Sequence, residues 1–153
     1  LAIILTAPVN VSAQMVNNTN FNSQIIYLEN GDYLETKIQS EQTKLPLSEI
    51  SLFTRSTKQI TKTKTSTYKS ASGKSMWSVS ITGTFTYNGS SAKCVSCSHS
   101  SKTYTTNWTI KSISSSKKDN SATANVVAVH TVNGSNSIKR YVTITCSKNG
   151  TIS

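Results

Sequence analysis

The chain has 153 residues, room for one ordinary domain or a smaller domain with an arm. Only 14% of residues are charged and 35% are hydrophobic, which excludes a highly charged disordered chain. The net charge of +10 is unevenly spread: residues 14–54 hold five acids against Lys37 and Lys44, whereas residues 55–153 hold 14 Lys and Arg against Asp119 alone.

Residues 1–13 carry no charge and form a short apolar segment ending in Val11-Ser12-Ala13, a small-x-small cleavage pattern with Gln14 as the new N-terminus. This stretch is expected to be a signal-peptide remnant, too short to span a bilayer, and the mature protein is expected to be secreted. Residues 14–24 are polar and aperiodic. A hairpin is predicted at 25–38, where Ile25-Ile26-Tyr27-Leu28 and Tyr33-Leu34 flank Asn30-Gly31. An isolated hairpin is marginal in water, so it should dock on something larger. Residues 39–60 lack a clean period, and 14–60 as a whole reads as an acidic N-terminal arm.

From Thr61 to the C-terminus the sequence predicts a basic, all-β, antiparallel β-sandwich of immunoglobulin-like type. Thr61–Lys69 alternates Thr or Ser with Lys, as in an exposed strand whose lysines guard an edge. The strongest element is 75–87: Trp77, Val79, Ile81, Phe85 and Tyr87 alternate with Ser78, Ser80, Thr82, Thr84 and Thr86, and Gly83 stands in the apolar register. After Asn88-Gly89 a return strand covers 92–97, and 98–103 is a Ser-rich bend. Tyr104, Thr106, Trp108 and Ile110 recur with period two, Lys117–Asn120 is a charged turn, and Ala122–Val132 is a strand of the sheet interior. In the last strand Ile138, Val142, Ile144 and Cys146 share a face. Four glycines, at 31, 89, 134 and 150, follow Asn, the pairing expected of two-residue primed turns.

The segment Trp77-Ser78-Val79-x-x-x-Gly83-x-Phe85-x-Tyr87-x-Gly89-x-x-Ala92-x-Cys94, with Trp108 on the next strand and Thr145-Cys146-x-x-Asn149-Gly150, resembles a family of small secreted proteins of clostridia-like Gram-positive bacteria, many from the gut. The hairpin at 25–38 and the Lys/Thr run before the core resemble that family's leader. The resemblance implies a signal peptide, a β-sandwich and a disulfide between Cys94 and Cys146. It implies no activity. Cys97 departs from the family pattern and is the candidate free thiol.

By residue chemistry alone the three cysteines admit further arrangements. Cys94 and Cys97 form a Cys-x-x-Cys pair, and with His99 and Cys146 they offer a zinc-type donor set. Simple alternation opposes the zinc set, because it puts Cys94 on one face and Cys97 with His99 on the other, and a Cys-x-x-Cys redox site normally opens a helix in an α/β fold. The facing pattern of Cys94 and Cys146 points both into one core, where a bridge would close a loop worth about 4 kcal/mol. The body has a single acid, no nucleophile elbow, no P-loop and no dinucleotide fingerprint, so neither a catalytic set nor a cofactor is expected. The expected role is non-catalytic binding at the cell surface, with anionic wall polymer or another anionic surface as partner and no specific nucleic acid. A bacteriocin-like or host-directed effector on anionic membranes, and a thiol- or hydroxyl-dependent hydrolase, are the alternatives. Without a lipobox Cys, sorting signal or apolar tail, covalent anchoring is not expected.

Overall fold

A computed structural model describes residues 23–39, 56–132 and 136–153. The expected signal-peptide remnant at 1–13, residues 14–22, residues 40–55 and the turn predicted at Asn133-Gly134 lie outside the described residues. The described chain is all strand and turn, in eight strands: β1 (Ser23–Tyr27), β2 (Tyr33–Gln39), β3 (Lys58–Lys69), β4 (Ser75–Tyr87), β5 (Ala92–Thr103), β6 (Trp108–Lys118), β7 (Ser121–His130) and β8 (Ser137–Thr145). They build two antiparallel sheets, ordered β1-β2-β3-β4-β5 and β6-β7-β8. Each strand pairs only with its sequence neighbours. An immunoglobulin-like arrangement needs non-consecutive strands side by side; this order is a pure meander in both sheets, so that part of the expectation is corrected.

The sheets pack face to face, with β4 against β7 and β8, β3 against β8, and β5 against β7. On β4, Trp77, Val79, Ile81 and Phe85 are fully buried. Opposite them β7 presents Ala122, Ala124, Val126 and Ala128, all but sealed from solvent. Small residues on one sheet make room for large ones on the other, and each large side chain sealed this way contributes about 1.5–3 kcal/mol. Tyr68, Trp77 and Trp108 form an aromatic cluster: the first two rings stack at 5.4 Å and 2°, and Trp108 is tilted against both.

Gly83 is explained by its neighbour. A Cβ there would lie 2.5 Å from the Phe85 ring and 3.3 Å from Ile144 Cγ2, so the Phe85 ring occupies the space that a side chain at 83 would take.

Three of the turns differ from the primed type. At Leu28–Asp32, Ser70–Lys74 and Ser147–Thr151 the same pair of bonds recurs: the Gly N–H donates to the carbonyl three residues back, and that residue's N–H donates to the residue after Gly. Gly31, Gly73 and Gly150 have φ of 83–86°. These are three-residue loops, a turn followed by a left-handed glycine, rather than two-residue turns.

The predicted hairpin at 25–38 is present as β1–β2. It is not a separate arm: β2 pairs with β3 from Tyr33↔Lys69 to Gln39↔Thr63. Consequently β3 is an interior strand, not the lysine-guarded edge expected. Asp32 ties the hairpin turn down, accepting from Tyr68 Oη at 2.5 Å and from the Ala71 N–H at 3.0 Å.

Candidate functional site

Register decides which side chains face the gap between the sheets. On β3, Ile60, Lys62, Lys64, Ser66 and Tyr68 pair with Phe85, Gly83, Ile81, Val79 and Trp77 of β4. Cross-strand partners share a face, so Lys62 and Lys64 point inward and the threonines outward. The outward hydroxyls bond to one another across the strands, Thr61 with Thr84 at 3.0 Å, Thr63 with Thr82 and Thr65 with Ser80 at 2.7 Å. On β8, Ile138, Arg140, Val142 and Ile144 pair with Ala128, Val126, Ala124 and Ala122 of β7, which places Arg140 on the inner face of the second sheet.

The two sides of the packed sheets are unlike. Along β5 and β6 the edges are pinned together: the Cys94 N–H donates to the Asp119 carbonyl at 2.8 Å, Lys117 Nζ donates to the Val95 carbonyl, and His99 Nδ1 meets Ser115 Oγ at 2.7 Å. On the other side β1 and β2 reach past β8 and leave a groove of about 440 Å³, walled by Ile26, Leu28, Leu34 and Thr36 on one side and by Arg140 and Val142 on the other. Lys64 and Ser66 lie at its floor. Among the described residues no acid lines it.

Both cations in this groove lack a counter-charge among the described residues, where the ion pairs are those of Glu35 with Lys37 and Lys69. Burial lowers the pKa of the Lys64 amine, since the charged form loses hydration it does not recover. Arg140 donates through Nη1 to the Lys139 carbonyl at 3.1 Å, but its Nε–H is buried without an acceptor. Trp77 Nε1 and Thr105 Oγ1 share that condition, in the core and in the β5–β6 connection.

The three cysteines are free thiols, and the Cys94–Cys146 bridge implied by the resemblance is not formed. Each buried thiol turns to a backbone carbonyl instead: Cys94 Sγ donates to Ser96 O at 3.3 Å and Cys146 Sγ to Ser147 O at 3.4 Å. Burial raises the pKa of both. Cys97 is half-buried and packs against the core.

The expectation that Cys97 and His99 face away from Cys94 is also corrected. A register shift sets Cys94 opposite Phe85 but Ser96 opposite Thr84, leaving Val95 as an extra residue. This bulge flips the alternation, so Cys94, Cys97 and His99 share the inner face. Even so, among the described residues no group of three His, Cys, Asp or Glu is placed to hold a metal ion. Neither His99 nor Ser115 has a carboxylate partner among the described hydrogen bonds. His130 stands edge-on to Trp108 at 5.0 Å, its Nδ1 on the Val132 carbonyl at 2.9 Å.

Among the described residues fourteen Lys and Arg face four acids, and no helix is long and apolar enough to cross a membrane. No protein family, curated protein or solved structure matches the chain.

Proposed function

We propose that this chain is an exported, non-catalytic β-domain that associates with anionic polymer at the cell surface through its cationic body. The observation that carries this reading is the charge imbalance of the described residues: fourteen cations against four acids, with only Lys37 and Lys69 among them held in ion pairs. The remaining cations are spread over strands and turns of both sheets, including Lys93, Lys102, Lys118, Lys139 and Lys148. A surface of this kind raises the local concentration of a polyanion and binds it by many weak, salt-screened contacts. The apolar-signal pattern at 1–13 supports export.

The test is co-sedimentation of the purified protein with Gram-positive cell wall, with and without its anionic polymer, across a salt series. Retention should require the polymer and fall steeply as salt rises above physiological strength. Equal retention on stripped wall, or no retention at any ionic strength, refutes the reading.

A further inference from the structure

The groove beside β8 combines features that a solvated basic surface does not need. Its walls are mainly apolar, with Ile26 and Leu34 side by side on one wall and Val142 on the other. A second hollow of about 340 Å³ shares Gln24, Thr36 and Lys64 with it and carries the trough on toward Ile38 and Ile152. The combined space falls in the range of about 300–1,000 Å³ typical of small-molecule sites. Within it sit two cations without a counter-charge among the described residues, one of them with a buried, unpartnered Nε–H. An unpaired buried donor and a desolvated ammonium each weigh against the folded state until an acceptor arrives.

We propose that this groove binds a single-chain alkyl carboxylate, its head group held by Arg140 and Lys64 and its tail lying along Ile26, Leu34 and Ile38. The head-group chemistry follows from the donors. A guanidinium presents a planar fork that a carboxylate matches with two parallel bonds, and the free Nε–H is one prong of that fork. Lys64 adds a point charge. The tail chemistry follows from the walls: a linear apolar chain fills an open-ended trough, whereas a phosphodiester polymer would set its polar backbone against Leu34 and Ile38. This inference is independent of polymer retention, because it concerns two cations between the sheets and not the outer surface.

Titration calorimetry of the full chain with dodecanoate, kept below its micelle concentration, tests it. Binding should saturate at one dodecanoate per chain. Dodecanol, which keeps the tail, and acetate, which keeps the head, should each bind about tenfold or more weakly. Arg140→Gln should weaken dodecanoate by about tenfold or more, and Lys64→Gln by a smaller factor. Lys148→Gln, in the Ser147–Thr151 loop, should leave it unchanged. Ile26→Trp fills the trough from a position that is 41% exposed, so it should block the tail while circular dichroism reports an intact fold. Equal affinity for dodecanol overturns the proposal, as does wild-type binding by Arg140→Gln, Lys64→Gln and Ile26→Trp together. A dimer that dodecanoate does not dissociate and that excludes it would assign the groove to a second copy and overturn it as well. Loss of wall retention on neutralising outer lysines, with dodecanoate binding kept, separates this site from the polymer-binding reading.

Discussion

Replacing Gly83 by Ala puts the packing of the core under a test whose sign is decisive. In a strand with ordinary surroundings, Gly→Ala stabilises by about 0.4–1 kcal/mol, because the unfolded chain loses conformational freedom. At Gly83 the added methyl would come within 2.5–2.6 Å of two ring carbons of Phe85 and 3.3 Å of Ile144 Cγ2. Phe85 is fully buried, so its ring has no solvent side to swing toward. The expected result is a loss of about 1–3 kcal/mol, the usual cost of overpacking. Urea unfolding followed by tryptophan fluorescence reads it as a lower midpoint at unchanged slope. The double-mutant cycle makes the mechanism explicit. Phe85→Leu removes the ring carbons, so Gly83→Ala in that background should be neutral or favourable, with a coupling energy of about 0.5–3 kcal/mol. A stabilised Gly83→Ala single variant, or additivity within about 0.3–0.5 kcal/mol, would refute the account of the glycine.

Asp32→Ala removes the acceptor of Tyr68 Oη and the Ala71 N–H, and should cost about 1.5–3 kcal/mol; hydrogen exchange should accelerate most in β1 and β2, and uniform acceleration through β6–β8 would count against a local tie. Lys64→Met should raise stability at neutral pH, because burial depresses the amine's folded pKa. A depressed lysine pKa means the parent gains stability as pH rises from its folded value toward the ordinary value near 10.4, so the difference between variant and parent should shrink over that alkaline window. A gap that widens toward high pH would contradict the burial argument. Iodoacetamide applied to the native protein should modify Cys97 first, since Cys94 and Cys146 are buried with raised pKa values; peptide mass mapping with Cys94 or Cys146 labelled first would overturn that order.

What was legible in the sequence was local. Alternation at Trp77–Tyr87 delimits β4 to the residue, Lys117–Asn120 marks the turn between β6 and β7, and Ala122–Val132 announces the central strand of the three-stranded sheet. The Ser-rich stretch at 98–103 misleads because serine is common to bends and solvated strands; pairing with β4 as far as Trp77↔Thr103 makes it strand. The bulge at Val95 leaves no mark in the residue pattern, yet it reverses the facing of Cys97 and His99. The groove was hidden for a related reason. Thr61–Lys69 is polar at every position until Tyr68, so its alternation does not reveal which set faces inward, and only the Lys64↔Ile81 pairing settles it. Arg140 carried a faint signal, as a charge in step with Ile138, Val142 and Ile144.

The meander has a consequence for how the chain finds its shape. Within each sheet, every strand after the first pairs with the one just before it, so each hairpin except β2–β3, whose strands are separated by residues 40–57, closes a short loop at small entropic cost. Beyond the β2–β3 pairing, the docking of β6–β8 onto β3–β5 joins distant stretches of sequence. A chain emerging from its N-terminus therefore never holds an unpaired strand waiting for a partner not yet made, except for the edges of the finished sheets. Assembly can proceed as successive zippering followed by a single closure, an order that favours rapid folding for an all-β protein. The Trp77–Tyr68–Trp108 cluster joins both sheets, so its fluorescence should report that closure and not the zippering that precedes it.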